Sequence, residues 1–174
     1  MSGPIHHPSL EESTRLILDN YRRLIGQDLV GPGADPATAL FTAPRAVLSA
    51  LGPIGSDHLF NYANRAALEL FETTWDQLIG QPSSKSAEPV HREERRRLLD
   101  EVGRHGFIQN YSGIRISRTG RRFRIKQATV FNLLDDRGHH LGQAATFTDW
   151  EHLPSPPLSA SAANSARSST PPPK

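Results

Sequence analysis

Residues 60–71 read FNYANRAALELF. The stretch opens with the apolar and aromatic character of a strand, residues 59–62. It closes with Ala67, Leu68, Leu70 and Phe71 at helical spacing. Asn64 stands at the join, where an asparagine oxygen can take an orphan N–H of the first helical turn. Asn61 and Tyr62 carry groups that donate and accept hydrogen bonds, so the join either starts a helix or also forms one wall of a pocket. The residue types favour the helix start first and admit the pocket wall beside it.

Other elements extend from this join. Residues 45–51 read as a strand and GPIGSD turns the chain into the next. Trp75, Leu78 and Ile79 make a short helical turn closed by Gly80 and Pro82. A polar connection leads to the helix HREERRRLLDEVGRHG, whose buried side is marked by Leu98, Leu99 and Val102, with Gly106 as its stop. Residues 107–117, 122–134 and 141–150 follow as three strand-like runs joined by glycine-containing turns, an antiparallel meander. On the N-terminal side, Ser9 and Glu12 form a capping box. Leu10, Thr14, Ile17, Tyr21 and Leu24 line one face of a helix that Gly26 ends. That face meets either its own domain or the same helix of a second subunit. Residues 29–37 read as a loop. The order is an α+β solution: a five-stranded antiparallel sheet with helices on one face, plus an N-terminal helix. The expected division is a flexible leader at 1–8, the helix at 9–26, the main domain at 40–150, and a disordered Pro/Ser/Ala-rich tail at 151–174.

Composition removes several function classes. The chain has 174 residues and no cysteine. Disulfides, zinc–thiolate sites, cysteine nucleophiles and a flavin–cysteine photosensor are therefore excluded. Apolar runs are too short to span a membrane. Residues 1–13 lack the pattern of a secretion signal, so a cytoplasmic location is expected. Between residues 91 and 126 the charge balance is +7. A basic stretch of this kind is weighed as a nucleic-acid face. Yet the row Glu93, Glu94, Arg95, Arg96 and Arg97 with Asp100 and Glu101 offers pairs three and four residues apart within one helix, which favours a solvated face.

The wording FNYANRAALELFETTWDQLIGQP resembles the signature of PAS domains. The wider pattern is similar to the bacterial, stand-alone form of the MEKHLA domain, over roughly residues 14–150. Residues 61–71, 86–90, 92–95, 111–117, 120–123 and 142–147 carry the resemblance. The six-residue string that names the plant form is absent, as are a homeodomain and a zipper, so plant DNA binding does not carry over. The resemblance implies a PAS-like fold and a sensory or interaction module. No segment brings a nucleophile, base and orienter together by motif, so no catalytic residues are expected and the chain is read as not an enzyme.

Alternation along a strand sets Phe123, Ile125, Gln127, Thr129 and Phe131 on one face and Leu141, Gln143, Ala145 and Phe147 on another strand's inward face. The expected pocket residues are Asn61, Tyr62, Phe71, Trp75, Phe123, Gln127, Thr129 and Gln143. No metal site is expected, and the cofactor stays unknown. A haem would need an axial histidine, for which His91 and His105 flank the charged helix. The expected partners are a small-molecule ligand, and a second copy of the chain or a separate signalling protein. Membrane is excluded and nucleic acid disfavoured. A small enzyme and a basic nucleic-acid-binding module are the alternatives.

Overall fold

The computed structural model describes residues 9–33 and 35–154. The expected leader at 1–8, and the tail beyond residue 154, lie outside the described residues. Helix α1 (Leu10–Ile25) begins with the Ser9–Glu12 capping box and ends at Gly26, whose φ of 78° is the left-handed conformation glycine adopts freely. Helix α2 (Pro36–Thr42) occupies part of the stretch expected as loop. Asp35 caps it and Pro36 opens it, the arrangement favoured at a helix start. Strands β1 (Ala46–Leu51) and β2 (Leu59–Ala63) form a hairpin. Helices α3 (Arg65–Leu70) and α4 (Trp75–Leu78), a 3₁₀ turn (Ser83–Ser86) and α5 (Pro89–His105) follow. The chain then enters β3 (Phe107–Ile116), β4 (Arg122–Leu134), β5 (His140–Phe147) and β6 (Asp149–His152).

The sheet runs β2-β1-β5-β4-β3, all antiparallel neighbours. A sixth strand, β6, was not expected. The run 141–150 breaks at Thr148, and the chain resumes pairing with the first half of β4, Phe123↔His152 to Lys126↔Asp149. The segment expected to begin the disordered tail at residue 151 therefore starts with strand pairing.

Both faces of the sheet are covered. On the outer face, α1 packs Ile17 and Tyr21 against Val47, Phe131 and Leu133, with Tyr21 edge-on to the Phe131 ring. Asn20 fixes that helix by exchanging two hydrogen bonds of 3.1 Å with the backbone of Leu134. The apolar stripe of α1 thus meets its own domain. On the inner face, Phe71, Phe123, Ile125, Ala128 and Phe147 form a second core beneath α3, and Leu98 and Val102 of α5 meet Val130.

The inner face of β4 departs from simple alternation. Gln127 has φ of 51° and is exposed, and the register with β3 shifts nearby. One residue in the left-handed region is a β-bulge, and a bulge shifts side-chain parity by one. Phe123 and Ile125 face inward before it. After it, Ala128 and Val130 do so, while Thr129 and Phe131 turn to the outer face. The expectation that Gln127 and Thr129 point inward with Phe123 is corrected for this reason.

The join at residue 64 closes the fold. Asn64 Oδ1 accepts from the N–H of Val47 at 3.0 Å and of Ala67 at 3.1 Å. Its Nδ2 donates to the carbonyls of Arg45 at 2.7 Å and Leu40 at 3.1 Å. One fully buried amide thus ties α2, the entry to β1 and the start of α3. Asn64→Ala is expected to cost about 2–4 kcal/mol, since it removes a cap and strands buried backbone groups. Asn64→Asp should cost at least as much, because a carboxylate would face two carbonyls. Urea unfolding monitored by fluorescence checks both. At the bulge, Gln127→Val should cost about 1–2 kcal/mol, whereas Gln127→Gly should cost nothing in the same assay.

Candidate functional site

The inner face and the helices above it enclose a cavity of about 80 Å³. Its floor is apolar: Leu48 and Ala50 of β1, Ile125, Ala128 and Val130 of β4, and Ala145 and Phe147 of β5. Small residues make the room. Ala50, Ala128 and Ala145 lie on neighbouring strands β1, β4 and β5, where larger side chains would close the space. Phe60 and Phe71 stand at one side, and Leu98 and Leu99 of α5 form the roof.

Polar groups enter from the edges. Gln143 donates through Nε2 to the carbonyl of Leu99 at 2.8 Å and to Asn132 Oδ1 at 3.2 Å. Its Oε1 is buried without a partner. Arg95 of α5 reaches in and donates to Ser83 Oγ at 2.8 Å. Burial, with help from the charge of Arg115, pulls its guanidinium down to about 10. Arg115 of β3 is buried and donates to the Ile114 carbonyl at 2.8 Å and the Tyr111 hydroxyl at 3.2 Å. His58 completes the rim, with Nε2 3.0 Å from the Pro53 carbonyl.

Of the residues expected in the pocket, Gln143 and Phe71 line this cavity. Phe123 lies directly beneath, its ring 5.0 Å from that of Phe71. Asn61, Tyr62 and Trp75 belong to the other side of the sheet. Asn61 sits at the β1–β2 register shift, accepts from Ser49 Oγ at 2.8 Å and donates to Ser13 of α1 at 3.1 Å. Tyr62 packs edge-on to Trp75 in the outer core. Its hydroxyl is buried and unpartnered, and burial pushes its phenol well up. Thr129 lies on that side too, and Gln127 faces solvent.

Arg95, Arg115, Tyr111 and His58 were missed. A signal for the arginines was present. Arg95 is three residues from Leu98 and four from Leu99, on the buried stripe of α5. Arg115 shares its strand phase with Gly113 and Ser117, both buried. Several other members of the basic stretch have acidic partners. Arg96 lies 2.7 Å from Glu93 and 3.2 Å from Asp100, Arg122 2.5 Å from Glu88, and Arg124 and Lys126 3.1 and 3.0 Å from Glu151. Among the described residues no group of three or more His, Asp or Glu could hold a metal ion, and no helix is long and apolar enough to cross a membrane.

Beside the cavity, His58 and His140 stand with ring centroids 5.9 Å apart. Burial holds both imidazoles below their ordinary range. At His58 the Pro53 carbonyl opposes this and Arg95 adds to it; at His140 the charge of His58 adds to it. The folded chain thus favours their neutral forms, and the unfolded chain binds more protons in mild acid. Stability present above about pH 6.5 is lost as pH falls through the depressed folded values. Glu93 and Glu151 are held below the usual carboxylate range by Arg96 and Lys126, so their contribution fades only in stronger acid. The thermal midpoint should therefore fall between pH 7.5 and 5.5. The double variant His58→Gln, His140→Gln should show a flatter profile by calorimetry.

The MEKHLA domain model matches residues 11–152. Comparison with curated proteins gives no match. Among solved structures the chain is similar to the PAS domain of a protein from Colwellia psychrerythraea, with TM-score 0.55, 14% identity, and 67% of this chain and 92% of that one covered. It is similar to the photo-excited blue-light photoreceptor Vivid, with TM-score 0.52, 13% identity and coverage of 76% and 94%. It is also similar to the PAS domain, in complex with ethanol, of a LuxR-family transcriptional regulator from Burkholderia thailandensis, with TM-score 0.50, 20% identity and coverage of 69% and 98%. These likenesses establish a PAS fold, and the family match over most of its length shows that this chain belongs to the MEKHLA domain family.

Proposed function

We propose that the chain is a non-catalytic sensory module that binds a small molecule in the inner cavity and passes the bound state to another protein. The observation that carries this reading is a cavity with an apolar floor into which partly satisfied polar groups project, Gln143 Oε1 being buried without a partner. A few convergent polar groups in an apolar cleft are the usual makings of a small-molecule site. Homodimerisation, a separate signalling partner and a cytoplasmic location belong to the same reading.

The size of the cavity narrows the occupant. Flavin and haem sites need several hundred Å³, within the roughly 300–1,000 Å³ of ordinary ligand pockets, and this one offers about 80 Å³. No cysteine is present for flavin adduct chemistry, and neither His91 nor His105 lines the space. The cavity does not fit either group. A small organic molecule fits, and the PAS domain crystallised with ethanol offers a precedent of that scale. Output is expected through the sheet edge that stays exposed, at β3.

Ala145→Leu tests the site by filling it from the floor. Wild-type protein should show saturable chemical-shift changes at Ala128, Val130 and Ala145 with at least one compound from a set of short alcohols, amides and carboxylates. The Ala145→Leu protein, folded by circular dichroism, should show none. Absence of any saturable change in the wild type rejects the reading.

A further inference from the structure

We infer, on the ligand-sensing reading above, that the cavity takes a small organic anion, a monocarboxylate with a short apolar body held between Arg95 of α5 and Arg115 of β3. Both guanidinium groups line the same space. Arg115 is 8% exposed. Its partners are a carbonyl and a phenol, and Arg95 has a serine hydroxyl. Among the described residues neither lies within ion-pair distance of a carboxylate. Asp57 acts on Arg95 only from farther away, because its carboxylate is taken by the N–H of Ser84 at 3.2 Å and the hydroxyl at 2.5 Å.

This arrangement is unusual for arginine. Buried charges are normally paired, and a guanidinium does not escape by losing its proton near neutral pH. Here Arg115 is buried and Arg95 half-buried at one mostly apolar cavity, while Arg96, Arg97, Arg121, Arg122 and Arg124 of the same stretch have acidic partners. The missing component is a negative charge placed between them. An arginine fork meets a carboxylate with two parallel hydrogen bonds, and both side chains have N–H groups left for this.

The neighbours of Arg115 keep the spot open. A Cβ at Gly113 would lie 2.2 Å from the Tyr111 hydroxyl and 3.0 Å from Arg115 Nη1. The bare backbone there lets the phenol and the guanidinium sit side by side. The Arg115 guanidinium carbon is 5.7 Å from the centre of the Tyr111 ring, a contact that orients a cation without neutralising it.

The remaining walls set the chemical class. Leu48, Ile125, Ala128, Val130 and Ala145 offer no hydrogen bond from their side chains, so they suit an alkyl body and not the oxygens of a phosphate. Arg95 also lines an adjoining surface pocket of about 260 Å³ with Arg92, Arg96, Asp57, Asp100 and the two histidines His58 and His140, which gives a small solute a way in from solvent.

The test uses the full chain, titrated by NMR and by thermal shift with acetate, isobutyrate, lactate and pyruvate, with the matching neutral amides, and with inorganic phosphate. At least one carboxylate should saturate at a concentration tenfold or more below its amide. Arg95→Gln should weaken it tenfold or more, and Arg115→Lys, which keeps the charge but loses the fork, should weaken it less than Arg115→Gln. Should a variant fail to fold, the acid-to-amide comparison on wild-type protein decides alone. Equal binding of acids and amides would overturn the anion inference and leave the ligand site standing. Saturation by phosphate with the carboxylates silent would overturn the choice of carboxylate. No saturation by any compound would overturn both this inference and the proposed function.

Discussion

Every layer of this structure is referenced to the side chain of Asn64. Its amide makes four hydrogen bonds with backbone groups of Leu40, Arg45, Val47 and Ala67. An asparagine has two donors and two acceptor positions, so the capacity is used in full. Those partners belong to α2, the segment entering β1, β1 itself and α3. The amide therefore joins α2, the entry to the sheet and the start of α3. A strand that runs into a helix at this point can only do so with the inner face beneath α3, which is the face that carries the cavity.

The two sides of the sheet then do different physical work. The outer side is a closed core: α1 is held by Asn20 to the backbone of Leu134, by Ser13 to Asn61, and by Tyr21 against Phe131. The inner side is loosely filled. Alanines on the strands leave space under α5, and polar groups reach into it from α5, from β3 and, through Gln143, from the central strand β5. Packing interiors to crystal-like density is the norm, so the incompletely filled inner side beside a well-filled outer side is the physical ground of the proposed ligand site.

Much of this was legible from residues in order. The capping box at Ser9 and Glu12, the helix start at Asn64, the charged helix with its Leu98–Val102 stripe and the meander all follow from local spacing. The pocket was less legible, because face assignment on a strand depends on parity. One residue, Gln127, takes a left-handed conformation and reverses the parity of the rest of β4. In β2 the register also shifts at Asn61, an extra residue between the partners of Ser49 and Ala50 on β1. Simple alternation therefore sent Gln127 and Thr129 inward, while the lining residues Ala128 and Val130 were passed over; Asn61 and Tyr62 were placed in the pocket by their hydrogen-bonding groups at the strand end, not by parity. Nothing in the identity of Gln127 announces φ of 51°, since glycine and asparagine are the residues that usually do so. The helix α2 was hidden for another reason: Asp35–Pro36 is both a turn signal and a helix start, and the surrounding glycines favoured the turn.

The arginines show the same limit from the side of charge. In a list of residues, Arg95 and Arg96 differ by one position. In the fold, Arg96 stands in water between two carboxylates, and Arg95 lies under α5 with a hydroxyl for company. Their energetic weights are opposite. An exposed pair contributes about 0–1 kcal/mol, whereas a buried charge without its counter-charge costs several kcal/mol. Such a cost is tolerable only because the rest of the core is well packed. It also means that stability and occupancy are linked: a species that binds the folded chain and neutralises the cavity stabilises it by mass action. On the proposed reading, a chain with two guanidinium groups at one mostly apolar cavity is less stable when empty than when filled. That difference is the energy available to shift α5 or β3, the two elements on which the guanidinium groups are carried.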